Sequence, residues 1–241
     1  MGCHNDALAM ERIAKEEGFK TVPLLSADAT RERVIQEIHI AKDELYPGDF
    51  FLLTYSGHGG QLPDLDGDEA DKYDETWCLY NGEFIDDELY ALLKLFPQWT
   101  RILVVSDSCH SGTVIKSRWY AGEHAPFKAM PRPIAQDTYQ AHKDFYDRIR
   151  DAQDQSKAKY DFPARAILLG GCQDNQYSSD GEDNGLFTEK LLQVWDNGKF
   201  QGDYFAFHKQ IGKLMPPSQT PSLVMAGRLN RWFQWSRPFV L

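Results

Sequence analysis

RILVVSDSCHSG, residues 101–112, runs from Arg101 through the apolar block Ile102–Val105 into a cluster of acid, hydroxyl, thiol and imidazole. A short apolar block without alternation is the pattern of a strand buried on both faces, the habit of parallel sheets covered by helices. DFFLLTY (49–55) and RAILLGG (165–171) have the same form. Further strands are predicted at KTVPLL (20–25) and TWCLY (76–80). Helical periodicity and end signals predict helices over 5–18, capped by Asn5 or Asp6, and between 26 and 46, capped near Asp28 or Thr30. Others are predicted over 86–96, 185–195 and 203–214, with a polar helical piece near 136–158. Apolar strands alternating with amphipathic helices predict an α/β domain: a mostly parallel sheet flanked by helices.

The bulk composition narrows the function. The chain has 241 residues, 26 Lys and Arg against 36 Asp and Glu, and a formal charge of −10. Such a chain is a poor generic partner for nucleic acid or an anionic membrane. Its four cysteines, Cys3, Cys78, Cys109 and Cys172, form no CxxC pair, which argues against a disulfide scaffold or zinc ribbon. No stretch reads as a transmembrane span or signal peptide, so a cytoplasmic protein is expected.

In open α/β sheets, functional groups gather beyond the carboxyl ends of strands. SGHGG (56–60) follows one predicted strand and SDSCHSG (106–112) another. If these strands are neighbours, His58 and Cys109, 51 residues apart, face one crevice. A thiol attacks as its thiolate, and a nearby imidazole lowers its pKa and later protonates the leaving amine. The N–H groups of Gly59 and Cys109 are placed to hold an oxyanion, with Gly57, Gly59 and Gly60 supplying backbone freedom. A lone cysteine after an apolar strand is more often core, and a lone histidine in a glycine-rich loop is more often a surface residue. It is the two at these positions that favour catalysis. His110 is a rival base, but successive side chains on an extended segment diverge.

YSGHGG followed by SDSCHSG resembles the caspase-like cysteine peptidases, and most closely the bacterial metacaspase type, the orthocaspases. GCHNDA (2–7) is similar to the family's first loop, and AILLGGCQDNQ (166–176) with NGLFTEKLL (184–192) to its small-subunit portion. The resemblance implies one caspase-like domain with a large-subunit-like portion (1–116), a linker (117–164) and a small-subunit-like portion (165–241). It also implies a strand ahead of Gly2, for which these residues leave no room.

Asp107 lies two residues before the proposed nucleophile, where an acid opposes thiolate formation. That cost points to another task, the binding of a cationic side chain. The resemblance implies cleavage after Arg or Lys, with a substrate pocket formed by Asp107, Asp6 and Ser56 and with Cys3 nearby. The plainer reading of Asp6 is a helix N-cap.

PDLDGDEADKYDE (63–75) sets Asp64, Asp66, Asp68 and Glu75 at EF-hand spacing, but Glu69 replaces the required glycine. The resemblance instead implies calcium ligands at Asp74, Asp86 and Asp87, with Lys116 where the family has a further carboxylate. A cation there weakens a hard-cation site, so no cofactor is required and calcium independence is expected. The linker carries Arg118, Lys128, Arg132, Arg148, Arg150, Lys157 and Lys159, with Arg165 just beyond, and suits self-cleavage by an Arg/Lys-specific enzyme. The expected partners are protein or peptide substrates, and the expected state is a monomer. The alternatives are a non-catalytic caspase-like binding module and a calcium-binding protein. An α/β-hydrolase lacks its G-x-S-x-G here.

Overall fold

The computed structural model describes residues 2–63, 73–108, 130, 132–154, 163–172, 184–227 and 231–241. Three of the predicted strands form its centre. β1 (Phe50–Ser56), β5 (Arg101–Asp107) and β6 (Arg165–Gly170) pair in parallel, and β7 (Ser222–Gly227) adds antiparallel to β6, giving the order β1-β5-β6-β7. Beyond β1 the chain makes a second, antiparallel sheet of β2 (Gly59–Pro63), β3 (Tyr73–Leu79) and β4 (Gly82–Ile85). The helices are α1 (Gly2–Glu16), α2 (Arg31–Glu44), α3 (Asp86–Leu93), α4 (Arg132–Ala141), α5 (Lys143–Asp154), α6 (Leu186–Trp195), α7 (Tyr204–Leu214) and α8 (Arg231–Gln234). Helices lie on both faces of the central sheet, as the α/β reading expects.

The pleat divides the core. Alternate side chains of a strand point to opposite faces, so Leu103 and Val105 of β5, with Ile167 and Leu169 of β6, meet α1, α6 and α7 through Met10, Ile13, Phe187, Leu191, Phe207 and Ile211. Ile102 and Val104 face the other way, onto Val34 and Ile38 of α2, Leu93 of α3, and Trp77 and Phe84 of the small sheet. Each such side chain removed from water stabilises the fold by about 1.5–3 kcal/mol. Arg31, 4% exposed, ties the second face together: its guanidinium pairs with Glu88 of α3 at 2.8 Å, donates to the Glu83 carbonyl of β4, and lies over the Phe84 and Phe145 rings. Burial raises the pKa of Glu88 despite that partner. α4 and α5 cover the outer face of the small sheet, where Tyr139 and Tyr146 pack on Leu62 and Ile85.

Several local expectations are corrected. α1 starts at Gly2, so Asn5 and Asp6 lie inside it and do not cap it. Thr30, the second of the two candidates, caps α2 by accepting the Arg33 N–H. KTVPLL joins no ladder among the described residues, and Pro23 lacks an N–H to donate to one. DFFLLTY is an edge strand. Only Phe50 is buried while the rest of β1 is half-buried, in contrast to β5, buried from Ile102 onward. The polar piece at 136–158 is two helices, α4 and α5. No helix among the described residues is long and apolar enough to cross a membrane.

Candidate active site

β1 and β5 are adjacent, and their register pairs Tyr55 with Ser106 and Ser56 with Asp107. The Gly57 N–H donates to the Asp107 carbonyl at 3.3 Å, so the two strands leave the sheet still joined. His58 is exposed, two residues past one register partner. Cys109, two residues past the other, lies outside the described residues, as do His110 and Lys116. The pleat sends the two register pairs in opposite directions, and each builds a different cluster.

The Ser56–Asp107 pair faces the α1 and α6 side. Asp6, 1% exposed, accepts the Ser56 hydroxyl at 2.6 Å through Oδ2. Through Oδ1 it accepts the Asn184 amide at 2.8 Å and the Gly185 N–H at 2.9 Å. Asp107, also 1% exposed, accepts both the N–H and the hydroxyl of Thr188, at 3.1 and 2.7 Å, through Oδ2. Gly185 is the N-cap of α6 and has no side chain to cap with. Two carboxylates from distant segments therefore do that work. Asp6 is a helix cap after all, but of α6 rather than α1. A buried carboxylate at a helix N-terminus gains from the dipole by up to about 2 kcal/mol, which offsets part of the cost of gathering two acids. Asp6, Ser56 and Asp107 thus share one small region. Cys3 sits half-buried near the start of α1.

The Tyr55–Ser106 pair faces the small sheet. Trp77 of β3 stacks on Tyr55, ring centroids 4.5 Å apart and 12° from parallel, and its indole N–H donates to the Ser106 hydroxyl at 3.1 Å. Ser106 and Ser108 hydroxyls are 3.0 Å apart, and the Cys172 thiol donates to the Ser108 carbonyl at 3.2 Å. The Tyr55 hydroxyl lies 2.8 Å from the His58 carbonyl and 3.2 Å from that of Cys78. Burial pushes the Tyr55 phenol well above its ordinary pKa, with Cys78 and Cys3 adding to it. Burial, then the Glu83 carboxylate, pushes the Cys78 thiol up to about 12, so it is protonated and inert at neutral pH.

The glycines of the His58 loop are there for space. None of Gly57, Gly59 and Gly60 adopts positive φ. A Cβ at Gly57 would lie 2.3 Å from the Tyr55 hydroxyl, and one at Gly60 would lie 2.4 Å from Glu83 Oε1. The Cys78 N–H donates to the His58 carbonyl at 2.9 Å, which makes Gly59 and Trp77 a non-hydrogen-bonded pair of the β2–β3 ladder. The polar groups of Gly59 therefore point away from β3, and its carbonyl accepts the Met130 N–H at 2.8 Å. Tyr55, Trp77, Ser106, Asn184 and Thr188 were not singled out from sequence. Only the pairing of β1 with β5 and the start of α6 identify them.

The metal residues are placed as follows. Asp86 and Asp87 form the first turn of α3, where an Asp86 oxygen accepts the Asp87 N–H at 3.0 Å. Asp74 is on β3, its side chain outside the described set. Its partner in the β2–β3 ladder is Leu62. Glu75 is also on β3, while Asp64, Asp66, Asp68 and Glu69 lie outside the described residues. Among the described residues, no three His, Cys, Asp or Glu side chains form a group able to hold a metal ion.

Comparison with known proteins agrees with this architecture. The chain is 29% identical over 227 residues to Metacaspase-1 of Schizosaccharomyces pombe, covering 79% of this chain and 53% of that protein. It is 28% identical over 224 residues to Metacaspase-1 of Cryptococcus neoformans, covering 78% of this chain and 49% of that one. It thus spans about half the length of these curated relatives. A crystal structure of a Geobacter sulfurreducens protein is 49% identical, with a TM-score of 0.88, covering 100% of this chain and 89% of that one. The structure of Caspase-1 from Spodoptera frugiperda superposes with a TM-score of 0.52 at 12% identity, covering 93% of this chain and 78% of that one, a likeness of fold. The peptidase C14 family described as "Caspase domain" matches residues 1–231. The chain belongs to this caspase-domain peptidase family.

Proposed function

We propose that the protein is a cysteine endopeptidase of the orthocaspase branch that cuts after Arg or Lys. The observation that carries this reading is the register of β1 and β5, with Ser56 opposite Asp107. It favours a crevice between the loop bearing His58 and the turn bearing Cys109. In the reaction, His58 takes the Cys109 thiol proton and sulfur bonds to the scissile carbonyl carbon. The N–H groups of Gly59 and Cys109 hold the oxyanion; the Gly59 backbone, turned away from β3, suits that task. The C–N bond then breaks as His58 returns the proton to the amine. Water hydrolyses the thioester and restores the thiol. Asp107, with Ser56 and Asp6, receives the substrate cation.

The test is release of a fluorophore from matched peptides ending in Arg, Lys or Asp. Cleavage after Arg and Lys alone is expected. Cleavage only after Asp would sink the pocket assignment, and cleavage of none would favour a binding module. Calcium is proposed to be unnecessary, because Lys116 stands where the family has a carboxylate, and a cation there weakens a hard-cation site. Chelator should leave the rate of Arg-peptide cleavage unchanged; loss on chelation and recovery with calcium would restore Asp74, Asp86 and Asp87 as ligands.

Self-cleavage is part of the same reading. Arg132, Arg148 and Arg150 fall in α4 and α5, and Arg165 opens β6. Regular elements are poor protease substrates compared with loops. Arg118, Lys128, Lys157 and Lys159, all outside the described residues, are left as the cut sites. Mass spectrometry of incubated protein should find new C-termini at one or more of these four, with both fragments still associated. A single uncut chain would overturn this.

A further inference from the structure

We propose that Trp77 is a positioning residue for the peptidase reaction, fixing the loop that carries His58 relative to the turn that carries Cys109. This role rests on the Cys–His reading above. Neighbouring parallel strands hold each other through backbone hydrogen bonds only as far as the sheet extends. The β1–β5 ladder ends at Ser56 and Asp107, with the Gly57 N–H on the Asp107 carbonyl just beyond it, so any further link must come from side chains. Trp77 comes from a different sheet and touches both strands at Tyr55 and Ser106, the register pair next to the last.

From this one ring the contacts run both ways. Toward the histidine, the indole stacks on Tyr55, whose hydroxyl reaches the His58 carbonyl at 2.8 Å. Cys78, the next residue in the chain, donates its N–H to that same carbonyl. Toward the cysteine, the indole N–H occupies one acceptor site of Ser106, whose hydroxyl shares a 3.0 Å hydrogen bond with that of Ser108, the residue before Cys109. Ser106 and Ser108 are 2% and 0% exposed and Trp77 is 7% exposed, so water does not compete for these bonds. Trp77 does not touch the substrate in this scheme. It acts through Tyr55 and Ser106, and its loss should appear in turnover rather than in binding.

The test uses the full chain with Trp77→Phe, which keeps a stacked ring and loses the N–H, and with Tyr55→Phe, which keeps the ring and loses the hydroxyl. Thermal melts establish that each folds. Against an Arg peptide, Trp77→Phe should lower kcat by about 10- to 100-fold, the scale of a small misplacement of reacting groups, with KM nearly unchanged. Tyr55→Phe should shift kcat in the same direction. Ser106→Ala breaks the same bond from the other side, so the double variant Trp77→Phe/Ser106→Ala should be no slower than the slower single variant. Losses that multiply, a loss confined to KM, or two folded variants with wild-type kcat would each overturn the role. Iodoacetamide alkylation of Cys109, followed peptide by peptide, separates this proposal from the one beneath it. If His58→Ala leaves that alkylation unchanged, the Cys–His pairing fails and the positioning role fails with it. If His58→Ala slows it and Trp77→Phe changes neither alkylation nor kcat, only the role of Trp77 is lost.

Discussion

Cys109→Ala should abolish cleavage of Arg and Lys peptides, and His58→Ala should come close to it, each losing at least roughly 10³-fold in kcat/KM. The size follows from what each group supplies. Without the thiol there is no nucleophile and no acyl-enzyme. Without the imidazole, a thiol of ordinary pKa is mostly protonated at neutral pH, and the leaving amine has no proton donor. The two act as one unit, so the double variant should be no slower than the worse single one. The fluorogenic assay that tests specificity also tests this, with melts to show that both variants fold. Cleavage that survives Cys109→Ala would remove the thiol mechanism altogether. Two of the other three cysteines are poor substitutes: Cys172 is fully buried, and Cys78 is held protonated by burial and Glu83. Cleavage that survives only His58→Ala would bring His110 forward as the base.

The central sheet was legible because its strands are strongly apolar. Ile102–Val105 and Ala166–Leu169 can only be satisfied with a face of helices on each side, and α6 and α7 carry clear periodicity. The small sheet was less visible. β2 is GGQLP, poor in strand formers, and β4 is only four residues long, so neither shows an alternation long enough to read. β7 has no polar partner residues to set a period. KTVPLL failed for the opposite reason: its apolar run resembles a strand, but a strand needs a partner, and none of the described strands offers one. At the candidate site, Cys109, His58 and Asp107 are legible by type and position, and Asp6 and Ser56 only through the family resemblance. Tyr55, Trp77 and Thr188 are not, because nothing in a tyrosine, a tryptophan or a threonine announces chemistry. Thr188 lies 81 residues from the carboxylate it holds, and its role follows only when α6 is seen to start against the end of β5.

That contact makes Asp107 the residue whose substitution separates structure from specificity. Asp107→Asn keeps an oxygen that can accept the Thr188 N–H and hydroxyl but removes the charge. It should retain most of the cap and lose the attraction for a substrate cation. The expected result is a fall of roughly 10²-fold or more in kcat/KM for Arg and Lys peptides, the cost of a buried charge partner lost on binding, and a small change in Tm. Asp107→Ala removes the acceptor as well. The buried Thr188 N–H and hydroxyl are then left without it, at about 1–3 kcal/mol, and the melt should fall by several degrees beyond that of the Asn variant. Thr188→Val completes the comparison, since it removes the hydroxyl and keeps the N–H and the Asp107 charge; it should cost less in kcat/KM than Asp107→Asn. If Asp107→Asn instead cleaves Arg peptides like the wild type while Asp107→Ala merely melts early, Asp107 is a helix cap and nothing more. Asp6, which holds the same helix end through Gly185 and Asn184 and bonds Ser56, would then be the remaining carboxylate able to select the cation.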